Sequence, residues 1–197
     1  MTKKEKLKWL LKENNGYIKT SDATKNNISK TYFNEFVKEN NLENVAHGIY
    51  IEESNWEDDY YIVNIRYPDS IFSHEVAGYL HGLSDREPLQ ISLTLPTGKS
   101  SSRLNHEGVK VYKVKNELFE VGLIDIETNM GNKVRCYDKE RTICDYLRSR
   151  SNIESQELQS VIKSYFRSQD KNIPRLMRYA ELFSVSKLVE QYSRVLL

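Results

Sequence analysis

Two groups of side chains in this chain have types and spacings that could do chemistry, one of carboxylates and one suited to reading bases. Asp125 and Glu127 ahead of Lys133, and Asp138 with Glu140 and Asp145, set acids beside cations. Two carboxylates and a lysine are what a metal-dependent nuclease uses to hold a divalent ion and activate water. Neither set has the spacing of a specific motif. A helix cap at Asp138 and ion pairing along that helix account for Asp138, Glu140, Arg141 and Asp145 without catalysis. The second group is Thr31, Asn34 and Lys38, flanked by Lys30 and Tyr32. Asn pairs bidentately with adenine, Thr meets a base edge or a phosphate, and Lys neutralises phosphate, so this set suits recognition of duplex DNA.

Other groupings carry less. Leu95-Pro96-Thr97-Gly98-Lys99-Ser100 has the ending of a phosphate-binding loop, but the first glycine of G-x-x-x-x-G-K-S falls on Leu93 and no helix is expected to follow. It reads as a loop, with Lys99 and Arg103 as secondary DNA contacts at phosphate. His74 and His81 are seven apart, too far along a helix for the i, i+4 metal pair, and read as a helix-start polar residue and a half-buried histidine. Cys136 and Cys144 lack a metal-ligand pattern and are expected reduced and buried. The expectation is no catalytic residue, no metal and no cofactor.

The elements that would position the DNA-reading set follow from periodicity. Leu7, Leu10 and Leu11 form one apolar stripe in a lysine-rich helix from Lys3 to Asn14, stopped by Asn14-Asn15-Gly16. A short second helix starts at Thr20 or Ser21, whose hydroxyls suit a cap, has Asp22 in its first turn and ends at Asn26-Asn27. Ser29 caps a third, to about Asn40, with Phe33, Phe36 and Val37 inward and Thr31, Asn34 and Lys38 outward. Leu42 to Ala46 and Ile49 to Ile51 are β-prone runs joined at His47-Gly48, where glycine accepts the positive φ of a hairpin turn. Three helices and a hairpin in this order are the layout of a winged helix-turn-helix. The expected DNA contacts are Lys19, Ser21, Lys25, Ser29, Lys30, Thr31, Tyr32, Asn34, Lys38 and His47.

Charge is uneven around this module. Residues 1–50 carry nine Lys against six acids, the whole chain nets +1, and Glu52, Glu53, Glu57, Asp58 and Asp59 follow at once. A mildly basic head before an acidic stretch suits operator binding better than indiscriminate coating of nucleic acid. With 197 residues, 39% hydrophobic and 29% charged, the chain has length for such a module at 1–55 and one larger domain at 56–197. No apolar run approaches the roughly 20 residues of a membrane span and no secretory leader is seen, so the expected location is the cytoplasm, off the membrane.

Within 56–197, Tyr60 to Ile65 is an apolar run ended by Pro68, which cannot continue a ladder. Ser73 is a cap for a helix burying Val76, Ala77 and Leu80, with Gly82 as left-handed C-cap. Leu89, Ile91, Leu93 and Leu95 alternate along a half-buried strand. Val109 to Val114, Phe119 to Ile126 and Lys133 to Tyr137 add strands to a mixed sheet. Asp138 caps a helix with Ile143, Cys144, Tyr146 and Leu147 inward, and helices follow at about Ser155 to Arg167, Pro174 to Phe183 and Ser186 to Leu197. The expected class is α+β: an N-terminal winged helix-turn-helix, then a mixed α/β domain ending in a helical bundle.

A resemblance covers nearly the whole chain. Behind the N-terminal module, SHEVAGYLHGL (73–83), LQISLTLPTGKSSSRLNHEGVKVYKV (89–114), VGLIDIETNMGNKVRCYDKERTICDYLRSR (121–150) and LMRYAELFSV (176–185) resemble the AbiEi family of antitoxins. The most specific parts are Tyr79-Leu80-His81-Gly82-Leu83 and Asp138-x-Glu140-Arg141-Thr142-x-Cys144-Asp145. The resemblance implies an antitoxin of type IV toxin–antitoxin systems active in abortive phage infection, paired with an AbiEii-type nucleotidyltransferase toxin with which it forms no stable complex. It also implies a winged helix that represses its own operon by binding inverted repeats in promoter DNA, and a C-terminal domain needed for neutralisation. Lys30, Thr31, Tyr32, Asn34 and Lys38 match the recognition helix, whereas relatives often carry Arg at the wing turn, where this chain has Ala46-His47 and lacks a guanidinium for the minor groove. No enzymatic activity is expected, and a monomer at each half-site with cooperation between adjacent copies is the expected arrangement on DNA. On the residues alone two other classes stay open: a metal-dependent nuclease targeted by its winged helix, and an interaction protein that sequesters a partner.

Overall fold

The computed structural model describes residues 1–196, in two compact units. The first comprises Met1–Arg66 with Thr128–Asn132, and the second Tyr67–Glu127 with Lys133 onward. Helices and strands are both abundant, so the chain is of the α+β class. Among the described residues no helix is long and apolar enough to cross a membrane.

The first unit runs α1 (Lys3–Glu13), β1 (Tyr17–Lys19), α2 (Thr20–Lys25), α3 (Lys30–Glu39), β2 (Leu42–Ala46), β3 (Ile49–Glu52) and α4 (Asp59–Arg66). Thr2 and Glu5 cap α1 reciprocally, and Ser29 Oγ accepts from the Tyr32 amide to start α3. The helices enclose a core of Leu7, Leu11, Ile18, Ala23, Ile28, Phe33, Phe36 and Leu42. The strands form an antiparallel sheet in the order β1-β3-β2, with Tyr17 opposite Ile51. At three residues, β1 is too short to show a period.

Two expectations for this unit are corrected. Thr20 and Ser21 do not cap α2: the Thr20 amide is taken by Gly48 O at 2.9 Å, while Asp22 Oδ2 accepts from the Lys19 amide at 3.3 Å. Tyr60 to Ile65 belongs to no ladder but lies in α4, because Asp58 Oδ1 accepts from the Tyr61 amide at 3.0 Å and helical spacing turns Ile62 into a cluster with Tyr17, Ile49 and Ile51. The first unit therefore extends past the boundary expected after residue 55. Buried Asp58 also holds Thr128 Oγ1 at 2.5 Å and Asn132 Nδ2 at 2.8 Å through its other oxygen, which is how residues 128–132 join this unit.

The second unit runs β4 (Ile71–Phe72), α5 (His74–Leu80), β5 (Ser92–Pro96), α6 (Ser102–His106), β6 (Lys110–Val114), α7 (Asn116–Phe119), β7 (Leu123–Glu127), β8 (Lys133–Tyr137), α8 (Lys139–Arg148), α9 (Ser155–Arg167), α10 (Ile173–Leu182) and α11 (Ser186–Leu196). Its sheet is mixed, in the order β6-β5-β4-β8-β7, with β5/β6 and β4/β8 parallel. The alternation from Leu89 overstates β5. Leu89 is 94% exposed, and Ser92 and Thr94 are buried along with Leu93 and Leu95, because the strand lies inside the sheet, between β6 and β4, with side chains of both faces buried. Phe119 lies in α7 rather than β7, and α6 does follow the Lys99 loop.

Ser73 precedes α5 but makes no cap. Its hydroxyl meets Thr94 Oγ1 at 2.8 Å and His74 Nδ1 at 2.9 Å instead. Gly82 does adopt φ +65° after α5, as a left-handed C-cap requires. Asp138 caps α8, which is buried from Glu140 to Leu147 and packs with α9, α10 and α11 around Ile143, Tyr146, Val161, Ile162, Tyr165, Leu176, Ala180 and Val189. The last helix is read from the sequence to Leu197, which lies outside the described residues.

Candidate nucleic-acid interface

The amphipathic α3 turns Phe33 and Phe36 into the core and leaves Lys30, Thr31, Asn34 and Lys38 exposed on the opposite side. Lys25, Lys30 and Lys38 have no ion-pair partner among the described residues, so their charge is available to an anion. Exposed Glu39 on the same helix is offset by Lys4 at 2.7 Å. Ser29 accepts the cap bond with one lone pair and keeps its O–H to donate. Tyr32 is mostly a packing residue, half-buried against the helical core with Lys3 Nζ 5.8 Å from its ring centroid.

His47 is exposed at the β2–β3 turn, where Gly48 takes φ +69°. Asn44 Nδ2 braces this turn by donating to Ala46 O and Ile49 O at 3.0 and 3.3 Å. The Thr20–Gly48 backbone bond brings the turn to the start of α2, and a Cβ at Gly48 would come 3.4 Å from Thr20 Oγ1. Lys19, which faces Ile49 in the sheet and approaches Asp22 at 4.0 Å, and exposed Ser21 thus lie close to the turn. The Thr20–Gly48 link escapes sequence reasoning, because nothing local marks a backbone partner 28 positions away.

In the second unit the remaining candidates are engaged. Lys99 pairs with Asp69 at 2.9 Å, and Arg103 pairs with Glu107 at 3.3 Å while lying over the Tyr67 ring. Asp125 and Glu127 are exposed on β7 opposite Arg135 and Lys133 of β8. Asp138 accepts from the Arg141 amide at 2.8 Å and from Tyr179 OH at 3.2 Å, and Glu140 from Tyr165 OH and the Asn172 amide, both at 2.9 Å. Among the described residues, no three His, Cys, Asp or Glu side chains converge as a metal site. Cys136 and Cys144 are free and buried, and burial pushes both thiols far up from their usual range.

Arg141 ties the DKERTICD segment together. Fully buried, its Nε meets Asp145 Oδ1 at 3.1 Å, its Nη1 donates to Leu118 O and Val121 O at 2.9 Å each, and its plane lies 4.0 Å from the Tyr137 ring centroid and 3.8 Å from that of Phe183. Gly122 at φ +81° makes room: a Cβ there would come 2.7 Å from Arg141 Cβ. From the YLHGL segment, His81 Nε2 bonds Tyr137 O at 2.7 Å. His74, read from the sequence as a helix-start polar residue, is instead buried. Its ring lies flat on Tyr112, with centroids 3.3 Å apart, and Nε2 meets Ser149 Oγ at 3.0 Å.

No family model and no curated protein matches this chain. Among solved structures it is similar to the RV2827C protein from Mycobacterium tuberculosis, at 14% identity and a TM-score of 0.61, over 89% of this chain and 69% of that one. At that identity the likeness concerns the fold alone.

The exposed face of α3 offers groups able to meet an anion or a hydrogen-bonding edge. An exposed amide, a hydroxyl and ammonium groups with no ion-pair partner among the described residues sit on a helix whose other face is buried in the core.

Proposed function

We propose that this chain is an antitoxin of the AbiEi type. In this reading its N-terminal unit is a winged helix-turn-helix that represses its own operon by binding inverted repeats in promoter DNA. It neutralises an AbiEii-type nucleotidyltransferase toxin in the cytoplasm without a stable complex. The observation that carries the DNA half is α3, with Phe33 and Phe36 buried on one side and Lys30, Thr31, Asn34 and Lys38 exposed on the other. Asn34 and Thr31 suit base edges in the major groove, and the lysines suit the flanking phosphates. The antitoxin half rests on the resemblance of the SHEVAGYLHGL and DKERTICD segments.

Gel shifts on the promoter test the DNA half. Replacing Thr31, Asn34 and Lys38 together with Ala is expected to weaken binding by about 100-fold or more, at roughly 1–3 kcal/mol per base-reading contact. Lys30→Ala should flatten the dependence of log affinity on log salt by about one. Unchanged affinity in the triple variant removes α3 as the reading helix. Promoter cleavage in magnesium that is lost on Asp125→Ala would point to a nuclease instead. For the antitoxin half, co-expression should relieve growth arrest by the nucleotidyltransferase toxin without the two proteins co-purifying, and co-purification would indicate direct sequestration.

A further inference from the structure

Trp9, Trp56 and Met130 of the first unit stay in solvent, at 50%, 83% and 57% exposed. Trp56 and Met130 line an open groove of about 470 Å³ together with Lys12, Tyr17, Glu52 and Asn55. Trp9 lies one turn before Lys12 on the same face of α1. An indole offers roughly 150–250 Å² to burial, so two of them left outside beside one groove mark a contact surface.

The groove is braced by amides that engage one another. Asn15 Nδ2 donates to Asn132 Oδ1 and Asn55 Nδ2 to Asn15 O, both at 2.8 Å. What remains on offer is two indoles, a thioether and charges, which suits a protein surface better than a small polar ligand. The charges are of both signs and stand apart. Exposed Lys8 and Lys12 are on the α1 side, and Glu52, Glu53 and Glu57 are on the segment that carries Trp56. None of the five has an ion-pair partner among the described residues. A uniformly basic or acidic partner would answer one flank and repel the other. A second copy turned about a twofold axis answers both, because its lysines meet the acids of the first copy and its acids meet the lysines.

We propose that this face is a self-association surface, on which a second copy of the chain packs isologously. Trp9 and Trp56 lie at its centre, with the α1 lysines of each copy across from the Glu52 to Glu57 acids of the other. The surface shares no residue with the exposed set on α3 and does not depend on DNA.

Sedimentation of the full chain over a concentration series tests this. The wild type should pass from monomer to dimer with a dissociation constant on the order of 100 µM, as fits a small interface, and salt should weaken the dimer. Trp56→Ala, at a side chain outside the core, should weaken it about tenfold or more. Lys8→Glu with Lys12→Glu, and Glu52→Lys with Glu57→Lys, should each stay monomeric alone while keeping the wild-type circular dichroism, because like charges then face each other. An equimolar mixture of these two forms should give a heterodimer, because each flank again meets its opposite. A wild type that is monomeric at millimolar concentration overturns the proposal. So does a dimer indifferent to Trp56→Ala, or a mixture of the swapped forms that fails to associate. A monomer that instead binds an oligolysine peptide through Trp56 would make the face a site for a basic partner and overturn self-association.

Discussion

His74 combines a left-handed backbone at φ 50° with complete burial of an ionisable ring. Burial first, and then the charges of Lys110, Arg141 and Arg148, push its pKa well below the usual histidine range, so the folded protein holds it neutral. The unfolded chain takes up a proton near pH 6.5 that the native state refuses. Stability should therefore fall as the pH drops below about 6.5, by up to ~1.4 kcal/mol per pH unit, until the folded value is reached. His81, also lowered by burial, acts in the same direction. Asp138 and Asp145 are raised by burial, so their contribution falls instead as the pH rises from the carboxylate range toward their folded values. His74→Asn isolates the histidine, since Asn tolerates positive φ. The wild-type melting temperature is expected to drop more steeply from pH 7 to pH 5 than that of the variant, and parallel curves would mean that His74 titrates normally. The sequence marks His74 only as a polar residue at a helix start, because Tyr112 and Ser149, which bury it, lie 38 and 75 positions further on.

At the scale of elements, Arg141 bridges α8 to the carbonyls that end and follow α7 and to the rings of Tyr137 and Phe183. Replacing it with Met leaves Asp145 buried without its cation, a change that typically costs about 3–5 kcal/mol. Urea unfolding of Arg141→Met should show that loss, and the double variant Arg141→Met with Asp145→Leu should recover much of it. Full stability in the single variant would show the pair to be idle. The Arg141–Asp145 spacing is legible in the sequence as an i, i+4 pair, but its burial is not. The same divide separates elements read correctly from those misread. α3 is legible because Ser29, Phe33 and Phe36 mark its cap and face within one helix. Tyr60 to Ile65 suits strand and helix equally as a short apolar run, and its helical state is decided by the Asp58 cap and the packing of Ile62.

For the whole molecule, the first unit depends on chain far from its own sequence, since Thr128 reaches Asp58 across 70 positions. Thr128→Val keeps the shape and removes the donor, which should cost about 1–3 kcal/mol. In the intact protein, hydrogen exchange should quicken in α4 and leave α9 protected. Unaltered exchange in α4 would mean that Asn132 alone satisfies Asp58. The sequence by itself determined the α+β class, the caps at Ser29 and Asp138 and the outward set Thr31, Asn34 and Lys38, because caps and periodicity act within about four residues along the chain. Only the tertiary structure decided that His74 is buried, that Arg141 joins several elements and that residues 128–132 complete the first unit. Those facts depend on side chains tens of positions apart, where desolvation and hydrogen-bond satisfaction are set by which segments meet, and no local pattern carries that information.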